Sequence, residues 1–246
     1  VIGPVIAGVL IDLGGFRAAY AVLLLLPLAA LGFARRVPKE APRPRATEGA
    51  VSGAWDLLRT PGLRRLLAVN WLLSSSWDVH AFLVPVLGHE RGFSASAIGL
   101  VLGIFAMAVA AVRLAIPLIA QHLREGRVLA GCMLWTAAVF ALYPFAASAW
   151  WMGVLAAALG LALGAVQPMI MTTLHQLTPA ERHGEAIALR SMTINFSSAL
   201  MPLLFGVLGA AVGASALFWL MGAAVGAGSV PARRISSPLR SDGVRT

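Results

Sequence analysis

The side chains of this sequence that could do chemistry are the few polar and ionisable ones set inside long apolar runs. Asp78 stands near the middle of such a run, with Asn70 and Ser74 eight and four residues before it. On a helix that spacing puts all three on one face. A carboxylate at that depth in hydrocarbon costs roughly 2.5–3.5 kcal/mol, so it marks either a pathway or a buried pair. On the first reading Asp78 takes up and releases a proton. On the second it is a structural carboxylate tied to an arginine or a backbone donor. His80 lies about 200° further round the helix and reads as a packed histidine, whereas Trp77, beside Asp78, is placed to stack on a ligand.

Arg113 falls in the next apolar run, on a stripe with Gly99, Gly103, Ala106 and Ala110. Small residues let a neighbouring helix or a substrate come close. Arg113 then binds an anion, pairs with Asp78 or snorkels to the headgroups. Arg190, about five residues into a later run, reads first as snorkelling or bridging to Glu185. Gln167-Pro168 follows Gly160-xxx-Gly164, a close-packing motif with a polar group at a kink, and Asn195 lines up with Ser191, Ser198 and Pro202. These sets fit a solute cavity or ordinary hydrogen bonds between helices. The candidate pathway residues are therefore Asp78, Asn70, Ser74, Arg113, Gln167, Arg190 and Asn195. No G-x-S-x-G elbow, H-E-x-x-H pair or phosphate-binding loop is present, and Cys132 is the single cysteine. The sequence reads as a non-enzyme, with no metal site and no cofactor expected.

Composition says what positions these groups. Of 246 residues, 59% are hydrophobic and 12% charged; a soluble domain carries about 25% charged residues, so this chain cannot cover a water-facing surface. A bilayer-spanning helix needs about 20 apolar residues. Spans are expected at 1–13 (partial), 18–34, 66–88, 97–120, 128–148, 150–173, 185–208 and 212–230. The apolarity is continuous, without the alternation of barrel strands. The fold class is an all-α membrane protein, a bundle of about 7–8 transmembrane helices.

The formal charge of +9 suits either nucleic acid or the cytoplasmic ends of spans, and position decides. With the loop after the second span inside, fifteen Lys and Arg residues fall on inner segments and only Arg17 and Arg91 on outer ones. This is the positive-inside pattern, and it leaves no basic patch for nucleic acid. The loop at 35–62, with Pro38, Pro42, Pro44 and Pro61, reads as a cytoplasmic linker. In it Val51, Ala54, Trp55 and Leu58 form a short apolar face, which either lies on the headgroup layer or belongs to an unstructured tether.

Two spans, a long basic inner loop and six close-set spans resemble the C-terminal two-thirds of a major facilitator superfamily transporter. Gly3-Pro4-Val5-Ile6-Ala7-Gly8 is similar to the glycine-proline motif in the fifth helix of that family's drug-proton antiporters, although it ends Ala7-Gly8 where the family has Gly-Gly. Gly3 and Gly8 would allow close helix contact and Pro4 would bend the helix. Pro179-Ala180-Glu181-Arg182-His183-Gly184-Glu185-Ala186, with Arg190, Asn195, Pro202 and Gly206, resembles the inner loop and eleventh helix of bacterial facilitators. The loop from Gln121 to Arg127 departs from the family's Asp-Arg-x-Gly-Arg gating loop, since Gln121 and His122 stand near the expected Asp-Arg.

The resemblance implies the facilitator fold, N-terminally truncated. Residues 1–34 would be the last one and a half helices of the N-terminal bundle, 35–62 the linker, 63–231 the six-helix C-terminal bundle and 232–246 a basic cytoplasmic tail. It implies secondary active, proton-coupled transport of a small solute, with export favoured, in a bacterial-type inner membrane. The partners are that solute, protons and the lipid bilayer. Missing N-terminal helices, roughly 130–160 residues at about 30–35 per helix and loop, are expected for function. The rival is a non-transporting scaffold or sensor derived from a transporter, or an inactive fragment. The basic bias generates a direct test of orientation: single cysteines near Gly92 react with an impermeant thiol reagent added outside the cell, and those near Pro42 do not. The reverse labelling inverts the topology.

Overall fold

Runs of Leu, Ala, Val and Gly that leave water must satisfy their backbone groups within the segment, and helices do so. The computed structural model describes residues 2–34, 54–119 and 125–235, and among them there is no strand. Six helices follow in order: α1 Ile2–Ala34, α2 Pro61–Glu90, α3 Ala95–Ile119, α4 Glu125–Leu142, α5 Ala149–Leu177 and α6 His183–Arg233. Short 3₁₀ turns at Ala54–Arg59, Tyr143–Phe145 and Ala180–Arg182 sit between them. Pro61 opens α2, where its missing N–H is no loss. Ser148 caps α5 by accepting from the Trp151 amide at 3.3 Å.

Both α1 and α6 are two helices joined at a glycine. Gly15 (φ 73°) and Gly213 (φ 81°) take a left-handed backbone that only a residue without Cβ adopts freely. The halves of α1, Gly3–Arg17 and Ala19–Phe33, meet at 112°. The sharp bend of α1 thus lies at Gly15 and not at Pro4.

Among the described residues eight helical segments result, in the order expected of a bundle of about 7–8 membrane helices, and by length and composition five are long and apolar enough to cross a membrane, or six with the bent pair taken as one span. The segments outside that measure fall short of it for a physical reason. Asn70, the serines at 74–76, Asp78 and His80 dilute the apolarity of α2, and the two halves of α1 are each short. The polar groups of α2 are instead covered by protein: Asn70, Ser75, Ser76 and His80 are all buried.

Packing is organised by helix pairs. α3 packs most extensively on α5, α2 on α6, and α4 on α6. The expected glycine motif forms the α3–α5 seam. A Cβ at Gly160 would come within 2.6 Å of the Phe105 carbonyl oxygen and 2.8 Å of Ala108 Cβ, and one at Gly164 within 3.0 Å of the Val109 carbonyl oxygen. Where α4 backs α6, Tyr143 stacks on Phe218 with ring centroids 4.8 Å apart and planes 3° from parallel.

The glycine-proline stretch meets α3 in the same close manner. Gly8 lies against the backbone of Ala95 and Ser96, and Gly99 against the carbonyl of Pro4. A Cβ at Gly3 would meet no atom within 4 Å among the described residues, so of the two glycines expected to give close contact Gly8 is the one seated against a neighbouring helix. Asp12 seals the junction, its carboxylate accepting from the amides of Ala95 (2.9 Å) and Ser96 (2.7 Å) at the start of α3, where a helix favours negative charge.

The loop segment also differs from expectation. In Ala54–Arg59, Leu57 is buried in the core, Trp55 is exposed, and Asp56 lies 3.9 Å from Arg182. This turn docks on the bundle through Leu57, because leucine gains more from a packed site than from a headgroup layer. Val51 and residues 121–124 of the expected gating loop lie outside the described residues.

Gly160→Leu should lower stability by about 1–3 kcal/mol through overpacking of the α3–α5 seam, read as a lower midpoint in thermal unfolding of the purified protein in detergent. Gly131→Ala, at a position with open space around it, should leave that midpoint close to native.

Candidate functional site

One face of α2 holds Asn70, Ser74, Trp77 and Asp78, with Leu73 beside them, and that face opens on a cavity of about 360 Å³. Arg113 enters it from α3, Gln167 from α5, and Arg190 and Ser198 from α6. Leu163, Val166 and Ile194 complete the wall. Six of the seven residues singled out by type and spacing thus line one hollow. Asn195 is the exception. It is exposed on α6 and does not border the cavity; of its stripe Ser198 does, and Ile194, one residue before Asn195, takes the place it was expected to fill.

Asp78 is not paired with an arginine. Its Oδ2 accepts from Ser197 Oγ at 2.9 Å and its Oδ1 from Ser198 Oγ at 3.2 Å. Ser75 and Ser197 hydroxyls are 2.9 Å apart. Since the one proton of Ser197 goes to Asp78, Ser75 must be the donor in that contact. The chain Ser75 to Ser197 to Asp78 ties α2 to α6. Sequence reasoning missed Ser75 and Ser197 altogether and noted Ser198 only as part of a polar stripe. The available signal was the adjacent pair Ser197-Ser198 on an apolar helix, two hydroxyls pointing about 100° apart and so able to reach both oxygens of one carboxylate.

The arginines also depart from expectation. Arg113 donates from Nη2 to Gln167 Oε1 at 2.6 Å, which joins α3 to α5 across the cavity wall rather than to Asp78. Glu185 is taken by Arg182, at 2.7 Å, because one turn of helix brings that closer arginine into reach. Arg190 is buried and not bridged to Glu185, and its Nε has no hydrogen-bond partner among the described residues. His80 behaves as the packed residue expected. It is buried, its ring lies 4.1 Å from that of Phe105, and its Nδ1 is 3.2 Å from the Tyr143 hydroxyl.

A second hollow of about 370 Å³, between α3 and α5 near Trp150, is walled by Ala, Leu, Val, Ile, Gly and Trp. It presents no charged group to orient a polar molecule. The chemistry is concentrated in the first cavity, where one carboxylate, two guanidinium groups, two amides and two hydroxyls face an apolar wall with an indole edge. No group of three or more His, Cys, Asp and Glu that could hold a metal occurs among the described residues. The arrangement can bind a small polar molecule and hold a proton; it contains no activated nucleophile.

Comparison with protein families gives a match to the model described as Major Facilitator Superfamily, over residues 1–123 and again over 66–242. Comparison with curated proteins returns no match.

Ser197→Ala removes one donor from Asp78 and leaves the buried Ser75 hydroxyl without its acceptor. Stability should fall by about 1–3 kcal/mol. Ser197→Thr keeps the hydroxyl and should recover most of that loss, both read from unfolding midpoints in detergent.

Proposed function

Because the chain belongs to the Major Facilitator Superfamily, a family of membrane transporters, we propose that it carries a small solute by secondary active transport through the cavity between α2, α3, α5 and α6. The carrying observation is the convergence of Asp78, Arg113, Gln167 and Arg190 from four helices on one hollow. Transporters of this type place their sites at the junction of helices that rock against each other. Asp78 serves as the proton carrier. It faces the cavity and is held by neutral hydroxyls rather than by an arginine, so that protonation breaks no ion pair.

Export is the direction supported by the likeness of Gly3-Pro4 and Gly8 to the antiporter motif. The fifteen-to-two distribution of basic residues supports a multi-pass protein of an inner membrane, with the segment after α1 and the C-terminal tail in the cytoplasm. In this reading 1–34 belongs to the first bundle, 35–62 is the linker, 63–231 is the second bundle and 232–246 the tail. α2 crosses the bilayer despite its polar face, because that face is turned into protein.

The test uses membrane vesicles from cells expressing the native gene, preloaded with labelled sugars, amino acids, carboxylates and amines. A proton gradient should drive loss of one class, and Asp78→Asn should abolish that loss with expression intact. His80→Phe keeps the ring against Phe105 and should leave the pH dependence as it was. Flux with unchanged pH dependence in Asp78→Asn makes the carboxylate structural.

A further inference from the structure

The cavity's donors and acceptors do not balance. Asn70 is 2% exposed and Arg190 8% exposed, and Nδ2 of the first and Nε of the second have no hydrogen-bond partner. Both are N–H donors, and both residues line the same hollow. Buried donors without partners are uncommon; neither atom is itself open to the hollow, and an accepting occupant meets them after a small turn of the two side chains. The acceptors of the wall do not reach these two donors: the Asp78 oxygens each take a serine hydroxyl, and Gln167 Oε1 takes Arg113.

Charge points the same way. The titratable and charged groups on the wall are Asp78 from α2, Arg113 from α3 and Arg190 from α6, while α5 presents the neutral Gln167. Every ion pair among the described residues involves Asp56 or Glu185, and none reaches Arg113 or Arg190. With Asp78 ionised the wall holds one uncompensated positive charge, and with Asp78 protonated it holds two. Guanidinium groups bind oxyanions through paired, charge-assisted hydrogen bonds. The remaining wall, Leu73, Trp77, Leu163, Val166 and Ile194, is apolar, and the volume of about 360 Å³ admits a molecule of one ring or a short chain.

We propose that the solute is a small organic anion, its carboxylate or similar oxyanion held by Arg113, Arg190 and Asn70 and its apolar body resting against Trp77 and its neighbours. This assignment rests on the reading of the cavity as the solute site. It carries a linkage: an anion and a proton on Asp78 favour each other's binding, because the proton removes the one negative charge that faces the anion.

Benzoate, benzamide and benzylamine share a ring and differ in charge, and they are the probes. Binding is followed by calorimetry on protein purified from the native gene in nanodiscs. Benzoate should bind at least tenfold more tightly than the other two. Arg113→Gln and Arg190→Gln should each weaken it by about 10- to 100-fold, with partial recovery in the lysine variants. Asp78→Asn should tighten benzoate binding, a change of sign that general damage to the fold does not produce. Preference for benzylamine, equal binding of all three, or benzoate affinity indifferent to both arginines overturns the anion assignment and leaves a solute cavity standing. Binding of none of the three overturns the cavity reading along with it.

Discussion

A carboxylate placed among apolar helices must be solvated by something other than water, and the way Asp78 is solvated governs the arrangement around it. Two serine hydroxyls from α6 do it, supported by a third from α2. Each donor is neutral, so Asp78 remains the sole negative charge on the cavity wall. Its needs fix the rotation of α2: Asn70, Ser74 and Asp78 turn towards the cavity, and His80 is carried to the opposite side, between Phe105 and Tyr143. The polar residues that make α2 the least apolar of the long helices are therefore also what seats it inside the bundle.

The other helices divide into two closely packed sets. α3 and α5 meet along Gly160 and Gly164, where the absence of Cβ lets backbone approach backbone, and Arg113 joined to Gln167 adds a polar tie on the cavity side. α2 and α6 are joined by the serine and aspartate chain, with α4 packed behind α6 through Phe140, Tyr143 and Phe218. Contact between α2 and α3, and between α5 and α6, is slight, and the two sets are joined mainly where α4 packs on α5 and, to a lesser extent, where α2 meets α5. The cavity lies between the sets, walled by α2, α3, α5 and α6.

How much of this could be read beforehand follows from what one chain encodes about itself. Helix order, the shared face of Asn70, Ser74 and Asp78 and the close approach at Gly160 and Gly164 depend on periodicity within single helices, and they were legible. Partners across helices were not. Whether Glu185 meets Arg182 or Arg190, and whether Arg113 reaches Asp78 or Gln167, depends on the relative rotation and height of two helices. One residue of error turns a side chain by about 100°. Asn195 shows the cost: of the stripe it shares with Ser191, Ser198 and Pro202, Ser198 borders the cavity, while the turn before it presents Ile194 in place of Asn195. The bend at Gly15 was hidden for another reason. Proline draws the eye, yet it is a glycine with φ of 73° that redirects the chain, and nothing in the apolar run around Gly14-Gly15 distinguishes it from a glycine of helix packing.

The division of the bundle into two sets has a geometric consequence. The set of α3 and α5 meets the set of α2, α4 and α6 chiefly where α4 packs on α5, and the hollow lies to one side of that join. Arg113 stands on one set and Arg190 on the other. Any change in the register of the sets therefore changes the span between the two guanidinium groups, so that the width of the hollow is a gauge of that register.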